Sequence, residues 1–222
     1  MAELADALDL GSSGVIHGGS SPFTRTKLTL HELKKFVFLL CDIIHLISGD
    51  IMNLIINDYN LKSDDIKEYG LKSRAILIDE KGQVLVANYG GVFLFPGGSI
   101  DENETIITAL IRELKEEIGC DYEETELKFI GCLEFYQKDY PKRNGKVKNR
   151  LIKTNYFIGK YKGVLNINQK LTKKEMKSKF KLELLPLKDL KNIVLKNINN
   201  NSRNIFFQKE IITILNTLEM EL

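Results

Sequence analysis

The sequence predicts an α+β domain built on a mixed β-sheet, and three observations carry that prediction. Short β-branched, partly alternating runs recur at hairpin-length intervals, which suits antiparallel neighbours. A single amphipathic helix stands between two groups of such runs. The C-terminal twenty residues return to a helical period. Strands that precede and surround one central helix argue against a doubly wound parallel sheet, which alternates strand and helix throughout.

The elements follow in chain order. Ser73–Glu80 (SRAILIDE) and Gln83–Tyr89 (QVLVANY) read as a hairpin about a turn at Lys81 and Gly82. Val92–Phe95 (VFLF) is a further strand, stopped by Pro96, Gly97 and Gly98, which are expected to form a turn that brings backbone close to a ligand. A helix is expected over about 104–118, with Asp101 or Asn103 as its cap and Gly119 at its C-terminal end. Leu127–Gln137 and Leu151–Tyr161 read as long strands around a basic loop, and Phe180–Leu187 as the last strand. In 202–222, Ile205, Phe206, Ile212, Leu215 and Leu218 fall near helical spacing and predict a closing amphipathic helix.

Residues 1–51 have a different texture. Between Gly11 and Pro22 they are mostly Gly and Ser, which reads as a disordered extension, with a helix over Leu30–Ile47 at its end. A sharper reading is that MAELADALDLGSS resembles the translation of a bacterial leucine tRNA gene, with GGSSPFTRT as its T-arm and 3′ end. On that resemblance the chain proper starts at Met52, and the domain is 52–222. A peptide from within Ala2–Lys27 in the natively expressed protein would rule this out.

Composition narrows the classes of function. A chain of 222 residues with 43% hydrophobic and 28% charged residues can bury an ordinary core, and a net charge of +2 gives no global reason to expect DNA or membrane. The longest apolar run, Phe36–Ile47, is interrupted by Asp42 and His45 and is shorter than the roughly 20 residues that span a bilayer. Cys41, Cys120 and Cys132 have neither CxxC spacing nor a histidine nearby, so a reducing, cytoplasmic setting is expected, without disulfides or zinc.

The chemistry concentrates on the central helix. Glu113, Glu116 and Glu117 are related by i, i+3 and i+4, so their carboxylates share one face, while Ile107, Leu110, Ile111, Leu114 and Ile118 form a separate packing face. Clustered hard oxygen ligands are what Mg²⁺ or Mn²⁺ requires, and such ions neutralise phosphate oxygens. An acidic stripe on a solvated helix is the competing reading.

From Gly98 to Cys120 the sequence resembles the Nudix hydrolases, whose signature is G, five residues, E, seven residues, REUxEExGU, with U aliphatic. Gly98, Glu104, Arg112, Glu113, Leu114, Glu116, Glu117 and Gly119 occupy its fixed positions, and Cys120 stands at the last aliphatic one. The resemblance implies an α/β/α sandwich and hydrolysis of a nucleoside diphosphate linked to another moiety, with Mg²⁺ or Mn²⁺ as cofactor. It implies that Glu116 and Glu117, with the Gly97 carbonyl, are the main metal ligands, and that Glu113 is a further ligand or the base that activates water. Arg112 and Glu104 would orient these carboxylates. The family often adds an acid from a later loop, for which Glu175 is the candidate, with Glu134 and Glu183 behind it. A small nucleotide is the expected partner, and the protein a monomer or homodimer.

Outside the signature, Lys138–Lys153 carries seven basic residues against Asp139. A solvated hairpin tip is the plain expectation. The functional alternative is a phosphate-rich substrate, a dinucleoside polyphosphate or an RNA 5′ end, bound by Lys142, Arg143 and Arg150 with Lys146 and Lys148. Tyr136, Tyr140 and Tyr156 could stack on bases, although strand aromatics more often lie in the core.

Overall fold

The computed structural model describes residues 51–142, 144–163, 165, 169–170, 179–197 and 202–220. Its strands are β1 (Met52–Ile56), β2 (Glu68–Ile78), β3 (Gln83–Tyr89), β4 (Phe93–Leu94), β5 (Gly97–Ser99), β6 (Leu127–Pro141), β7 (Val147–Lys160) and β8 (Phe180–Pro186). The helices are α1 (Ile106–Ile118), α2 (Leu187–Lys196) and α3 (Ser202–Met220).

Among the described residues, the eight strands join one sheet in the order β1-β6-β7-β2-β3-β4, with β5 paired to β2 and β8 to β3. β1 runs parallel to β6 and β2 parallel to β7, while the other pairs are antiparallel, so the sheet is mixed as expected. Alternation along the strands divides the core in two. Ala75, Leu77, Leu85 and Phe157 pack against Leu110, Leu114 and Ile118 of α1. Ile76, Ile78, Val84, Val86 and Ile158 pack on the other face against Leu190 and Val194 of α2 and Ile211, Ile214, Leu215 and Leu218 of α3. The result is an α/β/α sandwich. No helix among the described residues is long and apolar enough to cross a membrane.

Four local expectations need correction. The segment at Gly97 and Gly98 is the short strand β5, because Gly97, at φ 130°, lies so close to β2 that a Cβ would stand 2.9 Å from Arg74 Cα and closer still to the Ser73 carbonyl oxygen. The basic loop is mostly strand: β6 and β7 form one long hairpin, in which Pro141 pairs with Val147. The central helix starts at Ile106 with Thr105 as cap, its Oγ1 accepting from Thr108 N (3.2 Å) while Thr108 Oγ1 accepts from Thr105 N (2.9 Å). Asn103 sits at φ 69° and cannot take the extended conformation a cap needs. In α3, Ile205 is exposed, and the helix buries Ile211 and Ile214 instead.

Gly119 does end α1, in the left-handed conformation expected of a C-terminal glycine.

Candidate functional site

α1 is held against the sheet by Ala109, Leu110, Leu114 and Ile118, all fully buried, at about 1.5–3 kcal/mol for each of the larger side chains. That fixes the rotation of the helix, and the rotation decides where the carboxylates go. Glu117, one residue before Ile118, is carried into the fold and is only 2% exposed. Its Oε2 accepts from the Gly97 amide (2.9 Å) and its Oε1 from the Tyr89 hydroxyl (3.0 Å). Burial pushes its pKa up to about 7, against the lowering effect of these two donors and of Arg74. A carboxylate so placed calls for a positive partner.

Glu113 lies over Gly98, whose missing side chain makes the room: a Cβ there would overlap the Glu113 carboxylate, with Oε2 at 2.6 Å. Arg112 links the remaining acids. Its Nε and Nη2 donate to Glu104 Oε1 (2.7 Å) and Oε2 (2.9 Å), its Nη1 donates to Glu113 Oε1 (3.0 Å), and Nη1 stands 3.7 Å from Glu116 Oε2. Nη2 also donates to the Ser99 carbonyl on β5 (3.1 Å). The bidentate Arg112 partnership holds Glu104 down at about 2. α1 and β5 are thus tied together at Ser99, Gly98 and Gly97.

The donor set of Glu113, Glu116, Glu117 and the Gly97 carbonyl is made of oxygen alone, as hard divalent cations prefer, and the donors bonded to the buried Glu117 carboxylate among the described residues are neutral, the Gly97 amide and the Tyr89 hydroxyl. In chemistry these residues fit Mg²⁺ or Mn²⁺. Among the described residues no three His, Cys, Asp or Glu side chains stand close enough together to be a preformed metal cage.

Of the other candidates, Lys142 and Arg150 share a partner, since Arg150 Nη1 stands 3.9 Å from Glu68 Oε1. Lys142 pairs with Glu68 at the hairpin turn. Arg150 is buried on the α3 face, its guanidinium 3.2 Å from the centre of the Tyr140 ring and its Nε donating to Gln137 (2.5 Å). Tyr140 and Tyr156 are core residues. Glu134 pairs with Lys153, and Glu183 accepts from Asn88. Arg143 and Glu175 lie outside the described residues. Just before Glu175, Gln169 donates to the Glu117 carbonyl (2.6 Å) and Lys170 N to the Glu116 carbonyl (2.8 Å), so this segment docks on the end of α1.

Two residues that touch the site escaped the sequence reading, Tyr89 at Glu117 and Arg74 at the Gly97 carbonyl (3.5 Å), as did Glu210 behind Arg74. Arg74 Nε donates to Glu210 Oε1 (2.9 Å), and its Nη1 donates to the Phe95 carbonyl (2.7 Å). A charge inside the apolar run SRAILIDE was the available signal.

Sandwich, acidic helix and glycine strand together define a Nudix domain. The chain belongs to the NUDIX domain family, whose match covers residues 69–208. It is similar to an 8-oxo-dGTP diphosphatase of Proteus vulgaris, 36% identical over 75 residues that make up 31% of this chain and 62% of that protein. It is also similar to an RNA pyrophosphohydrolase of Marinomonas sp. (strain MWYL1), 46% identical over 54 residues, 23% of this chain and 34% of that protein. The chain therefore spans less than two thirds of the length of either relative. Among solved structures it resembles a NUDIX hydrolase from Nitrosomonas europaea, with a TM-score of 0.45, 13% identity, and coverage of 69% of this chain and 89% of that one.

Proposed function

We propose that this protein is a metal-dependent pyrophosphohydrolase that cleaves the diphosphate linkage of a nucleoside diphosphate joined to another moiety. The observation that carries this reading is the arrangement of Glu113, Glu116 and Glu117 on α1, with Glu117 turned inward against the Gly97 amide. Glu116, Glu117 and the Gly97 carbonyl would hold Mg²⁺ or Mn²⁺, with Glu113 as a further ligand or as the base. Once bound, such an ion supplies neutralisation of phosphate oxygens and a more acidic water. Arg112 keeps Glu113 in place, and Glu104 keeps Arg112 in place by its bidentate contact. Tyr89 orients Glu117 through its hydroxyl. A cytoplasmic setting goes with such substrates.

The names of the two relatives specify different substrates, 8-oxo-dGTP and RNA, which share a phosphoanhydride. The RNA reading is favoured by Lys146 and Lys148, both exposed at the tip of the β6–β7 hairpin, where a polyanion could reach them. Catalysis is tested with ADP-ribose, nucleoside triphosphates, 8-oxo-dGTP, diadenosine polyphosphates and 5′-triphosphate RNA, each with and without Mg²⁺, on the parent chain and Glu117→Gln. Metal-dependent turnover of at least one member is expected, with kcat/KM lowered at least about 100-fold in the variant. No turnover on any member refutes the enzyme, and full turnover by Glu117→Gln refutes the role of that residue.

A further inference from the structure

We infer that Arg74, Glu210 and Tyr156 form a buried positioning device that sets the strand carrying the Gly97 carbonyl, so that α3 governs metal binding between α1 and β5. The inference rests on the function proposed above. The three side chains come from β2, α3 and β7 and are 4%, 3% and 1% exposed. Glu210 Oε1 accepts from Arg74 Nε and from the Tyr156 hydroxyl, each at 2.9 Å. Arg74 then has Nη1 to give, and it goes to backbone: the Phe95 carbonyl at 2.7 Å, with the Gly97 carbonyl at 3.5 Å.

Stability alone does not call for this arrangement, since well-packed apolar residues commonly serve as well as a buried ion pair or better. What apolar side chains cannot do is hold carbonyls. Between Phe95 and Gly97 the main-chain polar groups are anchored in turn: the Phe95 carbonyl by Arg74, the Pro96 carbonyl by Ala75 N (2.9 Å), and the Gly97 amide by Glu117 Oε2 (2.9 Å). The Tyr156 ring also stands edge-on to Phe95, with centroids 6.4 Å apart. Burial works against both charges, but each keeps the other ionised: Arg74 is held above its ordinary range and Glu210 below its own by their mutual attraction. Glu210 and Tyr156 aim Arg74, and Arg74 fixes the segment from which the Gly97 carbonyl and the Glu117 contact both derive. None of the three reaches the acidic face of α1 itself, so they are positioning residues.

The test measures Mn²⁺ binding to the full chain, by electron paramagnetic resonance of free Mn²⁺ or by calorimetry, alongside thermal unfolding. Glu210→Gln leaves Arg74 buried without its counter-charge, so the double variant Arg74→Met/Glu210→Leu is compared with it, because it restores apolar packing without restoring a carbonyl donor. A double variant that unfolds cooperatively and binds Mn²⁺ about 10-fold more weakly or worse is the expected result, the size typical of lost outer support for ligands. Its activity should recover as Mn²⁺ is raised, which a merely structural defect would not do. Equal Mn²⁺ affinity in parent and double variant overturns the inference while the proposed function stands. A parent chain that neither binds Mn²⁺ nor turns over substrate brings down the proposed function itself. Should both variants fail to fold, Tyr156→Phe decides, since it deletes a single hydrogen bond: weakening by about 3-fold or more is expected, and unchanged affinity overturns the inference.

Discussion

Replacing Gly98 with alanine should leave the fold standing and remove most of the activity. The new Cβ would stand 2.6 Å from Glu113 Oε2, with Oε1 and Cδ closer still, whereas ordinary contact begins at 3.4 Å. The carboxylate must therefore retreat by about 1 Å, and it can, because it is the far end of a flexible side chain. An altered Glu113 rotamer costs about 1 kcal/mol, and losing its partly exposed contact with Arg112 costs up to about 1 kcal/mol more. A melting temperature lower by roughly 4–8 °C or less follows for a domain of this size. A displacement of 1 Å at a reacting group, by contrast, costs on the order of 100-fold in rate. Gly97→Ala is the matched control: at φ 130° the new Cβ meets Ser73 and Arg74 backbone, which has nowhere to go, so the loss there is of stability, about 3 kcal/mol or more. Thermal melts and kcat on a substrate that the parent chain hydrolyses separate the two. A Gly98→Ala variant that keeps its full kcat, or that unfolds as readily as Gly97→Ala, would refute this role for Gly98.

Two further outcomes are expected. Leu114→Ala empties a fully buried position between α1 and the sheet and should cost about 2–5 kcal/mol in urea unfolding, and a loss under 1 kcal/mol would contradict the packing described. The pKa of Glu104 is lowered to about 2 in the folded protein by Arg112, against about 4.3 in an unfolded chain, so its contribution is present above pH 4.3 and is lost as the pH falls towards 2. The stability gap between the parent chain and Glu104→Gln should accordingly be wider at pH 6 than near pH 2; a gap that does not narrow on acidification would contradict the ion pair.

What could be read from the sequence was local. α1 and its two faces follow from helical spacing over thirteen residues, and β2, β3, β6, β7 and β8 from short-range alternation. β1 was missed because its partner, β6, lies far along the chain, with Met52 opposite Gly131. Pro96-Gly97-Gly98 looks like a turn to any local rule, and only the nearness of Ser73 and Arg74 makes it a strand. Arg150 was grouped with a charge run, but the fold buries its guanidinium against the Tyr140 ring while Lys146 and Lys148 stay exposed. Arg74 is a charge inside an apolar run, whereas Glu210 follows Lys209 and carries no such mark. Their pairing spans 136 residues, and no spacing rule connects them.

The most exacting part of the site is therefore β5, three residues long, and not the helix that bears the acids. Glu113 depends on it for the space above Gly98, Glu117 for the Gly97 amide, and Arg112 for the Ser99 carbonyl. Each of those contacts fails if β5 shifts along β2, because a slip of one residue carries every amide and carbonyl of the strand about 3.3 Å along and turns it to the other side. Pairing with β2 at Lys72, Ser73 and Arg74 sets that register, and Arg74 adds a hold on the Phe95 carbonyl just upstream. Substitutions on the exposed turn of α1, which touch none of these contacts, should accordingly be tolerated far better than any that moves β5.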